Sequence, residues 1–429
     1  MAEATAIRPD LDGERGALLA EMRHWQRAAA ALGSLDLVAA PQAWAALESY
    51  LGLAVRSSLL LTAGGVVQQA DRVAADLATA RSPADLAEAR AAMLRLRRRY
   101  LQAETVIDFY EDAVRTRLTP RVGAILRGLD ALAVDSMDRT LRPLGIEVPP
   151  VLTYLDKGLG ASILRSGARL WDASLSPAAA IKITRHNLLR PTSLLHETGH
   201  QVAHLTGWTA ELADALDTAL RPHSADAADA WRVWASELAA DTYAFALLGF
   251  APLPALATVV DGTTRTVFRM VPGDPHPFGW LRVQFGATLC RQEYGPGPWD
   301  ALARLWAERH PPTAAPADAA FVARASLPHL GELARICVRR PMTAFGGRSL
   351  AQLADPLLVA PTALARLAQR AQGSLYTSSH LQRLESLRIL SWSVLQEYAS
   401  TSLPAAVRMG PSELETWLRR LGGEQAAAA

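Results

Sequence analysis

Residues 191–208 read PTSLLHETGHQVAHLTGW, and within them His196, Glu197 and His200 form H-E-x-x-H. Residues four apart on an α-helix share one face, a turn apart. A helix here therefore offers both imidazoles to a single metal ion and sets Glu197 beside the open coordination position. Pro191 suits a first helical turn, and Thr192 or Ser193 is the expected cap. Leu194, Leu195, Val202 and Leu205 form the apolar side, and Gly207 is the expected stop. With ten histidines in 429 residues, the pattern arises by chance in about one such chain in a hundred. A surface helix with two solvated histidines is thus the competing reading, and a third ligand is needed to decide.

That ligand is sought in S-E-L-A-A-D, where Glu237 and Asp241 are also four apart and share a helix face. Two histidines and a glutamate plus water are a standard catalytic zinc set. Glu237 is the expected third ligand. Asp241, one turn on, is placed to accept the second N–H of a ligating imidazole and fix its tautomer. The span between His200 and Glu237 lets the chain turn and bring a second helix antiparallel to the first. Trp231, Trp234, Leu238 and Phe245 give that helix an apolar side to bury. His204, one further turn along the histidine stripe, is expected to be packed or to support the ligands rather than to be one.

H-E-x-x-H followed by E-x-x-x-D resembles the gluzincin zinc metallopeptidases, of which thermolysin is the familiar member. The form E-x-x-A-D is similar to that of the CAAX prenyl endopeptidase and HtpX-like families. His276-Pro277 with Arg282 resembles their H-P-x-x-x-x-R, and the resemblance implies that His276 and Arg282 face the substrate and its developing oxyanion. The likeness covers roughly residues 180–285. The membrane-spanning helices of those two families are missing here. A metzincin pattern is excluded, because Ala203 and Thr206 stand where it needs glycine and histidine. The Gly-x-Met-Glu-Asn motif of gluzincin aminopeptidases is absent as well, which favours endopeptidase action. Tyr154, Tyr243 and Tyr294 are additional oxyanion-donor candidates whose simpler reading is structural.

Composition sets the frame. Half the residues are hydrophobic and 20% charged, as in a soluble globular protein. Ala, Leu and Arg are abundant and strand formers sparse, so the expected class is mainly α: a zincin-like core with at most a small β-sheet, flanked by helical N- and C-terminal regions. A net charge of +2 gives no reason to expect nucleic-acid binding. Two cysteines, Cys290 and Cys337, are too few for a disulfide scaffold. The opening residues lack an apolar signal region, and the uncharged run 242–260 is interrupted by Gly249, Pro252 and Pro254. No membrane span and a cytoplasmic setting are therefore expected.

In chain order, residues 1–16 are expected as a flexible tail and 17–143 as a helical region. Its first helices carry an apolar stripe through Leu60, Val67, Val73 and Leu77. Ser82-Pro83 starts a new helix, broken near Pro120. Arg95, Arg97, Arg98 and Arg99 read as a solvated face. Residues 145–176, rich in Gly and Pro, mark the passage into a catalytic core over 144–298. Ile181 and Ile183 alternate with Lys182 and Thr184, the best strand pattern in the chain and an expected edge able to pair with an extended peptide. Residues 251–298 are expected to be loop-rich, 299–422 helical, and 423–429 disordered.

The expected function is a zinc-dependent metallopeptidase acting on a peptide or protein substrate, with Zn2+ as cofactor, Glu197 as general base, and a flank that covers the cleft or docks a partner protein. Two alternatives remain: a helical scaffold with a vestigial zinc site, and a zinc hydrolase of a non-peptide amide.

Overall fold

The sequence favours helix formers almost throughout, and the described residues are 76% helical with one three-stranded sheet: the fold is mainly α. The computed structural model describes residues 11–158, 160–167, 176–398 and 409–423. Most of the two expected tails, 1–10 and 424–429, falls outside them. The chain divides into two compact units, Met1–Leu118 with Ser166–Pro177, and Thr119–Arg165 with Ala178–Ala429.

The first unit consists of α1 (Leu11–Leu32), α2 (Pro41–Leu51), α3 (Val55–Thr79) and α4 (Pro83–Arg117). Residues 11–16, expected in the tail, already belong to α1. Leu18, Met22 and Ala29 of α1 share a core with Val66, Ala70 and Val73 of α3 and Leu86, Met93 and Leu96 of α4. The buried stripe of α3 includes Val73 and Leu77 as expected, but in its first half it runs one residue earlier, through Leu59 and Val66 rather than Leu60 and Val67. Leu59 is buried while Leu60 is 48% exposed, because Leu59, Ala63, Val66, Ala70, Val73 and Leu77 keep the 3.6-residue period better. α4 starts as its sequence predicts: Ser82 Oγ accepts from Asp85 N at 3.1 Å, and Asp85 Oδ2 accepts from Ser82 N at 2.9 Å. In the arginine run, Arg97 lies over the Trp25 ring and Arg99 donates to Gln69 Oε1 at 2.8 Å.

The second unit is built around α5 (Pro120–Leu141), α6 (Thr192–Thr206), α7 (Trp208–Leu220) and α8 (Ala225–Leu248). Its sheet comprises β1 (Val151–Asp156), β2 (Ser162–Leu164) and β3 (Ala179–Thr184), in the order β1-β3-β2. β3 is the strand read from the alternation of Ile181 and Ile183, but it is central rather than an edge. It pairs with β1 in parallel and with β2 antiparallel. Both its backbone edges are therefore occupied, while β2 has no second strand partner among the described residues. β1 is held to α5 by buried Asp130, which accepts from Thr153 N at 2.7 Å and Thr153 Oγ1 at 2.8 Å. Strand β1 begins directly after Pro149-Pro150, inside the stretch expected to be only a linker.

Segment 251–298 is the clearest departure from expectation. It holds α9 (Pro252–Val260), α10 (Thr264–Val267) and α11 (Gly279–Tyr294). Much of the Gly, Pro and Asp content that suggests loop falls at the first turn of α9 and in the connections 261–263, 271–278 and 295–297, and α11 buries Trp280, Leu281, Val283, Phe285 and Leu289. The helices from Pro298 onward belong to the same core: Trp306, Leu333, Ile336 and Leu390 join one apolar cluster with Leu194, Leu195, Trp231 and Leu238. The helix Pro411–Leu421 lies on α5, where Arg121 makes a two-pronged ion pair with Glu415 at 2.5 and 2.6 Å. The two units divide at 118/119, 165/166 and 177/178, whereas boundaries at 143 and 298 were expected; α5 and the C-terminal helices share one apolar cluster with α6 and α8. Among the described residues no single helix is long and apolar enough to cross a membrane; α2 and α3, bent by 114°, pass that test only when joined.

Candidate metal centre

α6 forms over the expected residues and ends at Gly207, whose φ of 74° is left-handed. Its start differs: Pro191 occupies the cap position and no side chain caps the helix. The hydroxyls of Thr192 and Ser193 are buried without a partner, and both residues line the cavity in front of the helix. Leu194, Leu195 and Val202 are fully buried, which turns His196 and His200 toward α8. α8 in turn buries Trp231, Trp234, Leu238 and Phe245 and presents Glu237 and Asp241 to α6. The two helices meet closely at Gly199. A Cβ there would stand 2.8 Å from Ala240 Cα and 3.0 Å from Tyr243 Cβ, so only glycine permits this approach.

Three ligand atoms converge at the crossing. His196 Nε2 and His200 Nε2 face each other at 3.2 Å. Glu237 Oε2 lies 3.3 Å from the first and Oε1 lies 3.1 Å from the second. Atoms bound about 2.0–2.1 Å from a tetrahedral zinc stand about 3.3–3.4 Å from one another; each histidine nitrogen has the other nitrogen and one Glu237 oxygen near that spacing, and one ligand atom from each of the three residues lies within 4.8 Å of the others. Two imidazole lone pairs also repel at this range unless a proton or a cation lies between them. The donor set and its geometry therefore fit a divalent zinc-like ion.

Around the three ligands lies a ring of supporting contacts. Asp241 Oδ1 is 2.8 Å from His196 Nδ1, an ion-pair contact in which the N–H is not aimed straight at the oxygen. Arg282 donates from Nε to Asp241 Oδ2 at 2.5 Å, and from Nη2 to Asp241 Oδ1 at 2.8 Å and Glu237 Oε2 at 3.0 Å. Its guanidinium is buried and grips the two carboxylates, whereas the resemblance had placed it on the oxyanion. His276 sits at the cavity rim with its side chain 59% exposed. Nδ1 is held by Asp274 Oδ1 at 2.6 Å, and Nε2 is 3.5 Å from Glu237 Oε1. His204 is solvent-exposed, so it neither packs nor touches the ligands. Tyr243 OH donates to Ser136 O and Tyr294 OH to Pro356 O, while Tyr154 is buried in β1; none of the three lines the cavity.

Two supporting residues escaped sequence reading. Ser236 Oγ is 3.4 Å from His200 Nδ1, although its position next to Glu237 was the available signal. Asp274 lies two residues before His276 and also accepts its backbone N–H at 3.0 Å, the Asx pattern that Asp-Pro sequences favour.

The charges couple strongly. Burial works against charging His196, but Asp241 and Glu237 outweigh it and raise the imidazole to about 10. Burial would raise Glu237, yet the donors on His196 and His200 hold it well below the usual carboxylate range. Asp241 is likewise buried and held down by the Arg282 charge and His196. Glu197 behaves oppositely: burial raises it, and among the described residues it has no hydrogen-bond partner although it is 6% exposed and lines the cavity. A concentration of perturbed acids and bases at a cavity marks a functional site.

Comparison with known protein families, with curated proteins and with solved structures finds no match.

Proposed function

We propose that this protein is a zinc-dependent metallopeptidase whose metal is held by His196, His200 and Glu237. The observation that carries the reading is the convergence of the two ring nitrogens and the Glu237 carboxylate, each nitrogen 3.1–3.3 Å from a carboxylate oxygen and 3.2 Å from the other nitrogen, beside the carboxyl of Glu197, which has no hydrogen-bond partner among the described residues. Zinc bound there supplies a water acidic enough to ionise near pH 7 and polarises a carbonyl oxygen.

The remaining roles belong to the chain. A carboxylate oxygen of Glu197 takes the proton from the attacking water and later delivers it to the departing amine nitrogen. Burial raises its basicity in the metal-free protein. Asp241 orients His196, and Arg282 fixes Asp241 and Glu237 together, so the ligands are preorganised. With Nδ1 held by Asp274, His276 presents Nε2 at the cavity rim, where it meets a substrate oxygen. Ser162 and Ile163 of β2, which has no second strand partner among the described residues, line the same cavity, and such a strand can offer backbone groups to an extended chain, which favours peptides over small amides. A structural zinc site has no use for Glu197, which weighs against a scaffold role.

Replacing Glu197 with Gln tests this. The variant is expected to retain bound zinc while peptide hydrolysis falls about 10²–10⁴-fold. Undiminished hydrolysis counts against the mechanism.

A further inference from the structure

The first turn of α6 carries buried polar groups that nothing in the chain satisfies. Thr192 is 1% exposed and its Oγ1 has no hydrogen-bond partner, and the buried Oγ of Ser193 has none either. Both residues line the metal cavity, about 500 Å³ in volume, together with Arg165, just past β2, and Asn187. Among the described residues Arg165 makes no ion pair and the Asn187 side chain no hydrogen bond. A buried hydroxyl costs free energy unless a ligand or water supplies its partner. We propose that this corner binds the free C-terminal carboxylate of a peptide, so that the bond presented to the ligands lies one or two residues from the chain end and the enzyme acts as a carboxypeptidase. The inference rests on the peptidase reading for the cleavage that follows, whereas carboxylate binding is testable without turnover.

Charge, chemistry and reach agree. The N-terminal end of a helix carries a positive partial charge and open N–H groups, and α6 has no side-chain cap to occupy them. Hydroxyl, amide and guanidinium groups all donate to a carboxylate, and a guanidinium does so through two parallel bonds. The acids that line the cavity belong to its ligand end, where Arg282 and the histidines hold Glu237 and Asp241. Reach follows from the helix itself. Thr192 precedes His196 by four residues, so it stands on the same face about 6 Å nearer the helix start. One extended residue spans about 3.3–3.6 Å, so one or two residues fit between an acyl carbon at the ligands and a carboxylate at Thr192. The missing Gly-x-Met-Glu-Asn motif bears on the amino ends of substrates, so it is compatible with exopeptidase action at the carboxyl end.

The probe is N-acetyl-alanyl-alanine, titrated calorimetrically into the metal-free protein with N-acetyl-alanyl-alaninamide as reference. The acid is expected to bind at least tenfold tighter than the amide, and this ratio to fall below threefold in Arg165→Gln and in Thr192→Val. Arg165 is exposed, and valine keeps the shape of Thr192 while removing a hydroxyl that has no partner, so both variants are expected to fold and melt as the parent does. In zinc-loaded protein, peptides with a free carboxyl end are expected to lose one or two residues from that end. Amidating that end is expected to lower kcat/KM at least a hundredfold in the parent and less than tenfold in the variants. Equal binding of acid and amide, or an acid preference unchanged in both folded variants, overturns the carboxylate site. Cleavage of internal bonds that ignores amidation also overturns it and leaves the peptidase reading intact. An acid preference that follows the variants while no peptide is cleaved upholds the site and overturns only the peptidase reading.

Discussion

At the scale of single residues, His196 ties the metal to the proton. In the metal-free protein its imidazole is raised from 6.5 to about 10, so it is protonated at pH 7.5 and that proton must leave when zinc binds. Zinc titration at pH 7.5 in buffers of different ionisation heat is expected to give at least one proton released per zinc, one from His196 and a further fraction from the metal-bound water; no release would contradict the assignment. The same shift governs stability. Because the folded value lies above the unfolded one, the stabilisation from charged His196 is complete below about pH 6.5 and is lost as pH rises toward 10. Glu237 and Asp241 are held below their ordinary 4.5 and 3.8, so their contribution is present above those values and is lost in acid. Thermal unfolding of the metal-free protein is expected to show its maximum between these limits and a fall on both sides.

Helices α6 and α8 carry the site, and their approach depends on the small residues between them. Gly199→Ala forces a methyl into Ala240 and Tyr243, an overpacking that costs about 1–3 kcal/mol. It is also expected to weaken zinc binding by separating His200 from Glu237. Unfolding and zinc titration of that variant read the two effects separately; an unchanged zinc affinity would show that the ligands do not depend on this contact. The elements also differ in how legible they were. α6, α8 and the start of α4 carry strong periodicity, a capping box and ligand residues at helical spacing, so sequence alone placed them. β1 was hidden because Pro149-Pro150 and nearby glycines suggest a linker, whereas its place is set by Asp130 on a distant helix. α11 was hidden because His276-Pro277 reads as turn, and its burial on several sides leaves little amphipathic contrast. Arg282 was found by spacing, but its grip on Asp241 and Glu237 follows from the helix that carries it, which the spacing does not reveal.

For the whole molecule, the mainly α class was readable from composition, while the boundaries were not, because contacts between distant segments set them. α5 precedes the expected core, yet it anchors β1 through Asp130 and receives the Tyr243 hydroxyl at Ser136 O. A fragment of residues 119–429 is therefore expected to fold and bind zinc, whereas 144–429, lacking α5, is expected to lose cooperative unfolding; circular dichroism melts of both fragments check this. If the two behave alike, α5 is not part of the catalytic unit. The most direct test of the central claim is zinc K-edge X-ray absorption on protein loaded with one equivalent of zinc. The account predicts four light-atom ligands at about 2.0–2.1 Å with the multiple scattering of two imidazoles, and loss of one imidazole in His200→Ala. A shell containing sulfur, six oxygens, or a spectrum unchanged by His200→Ala would contradict it.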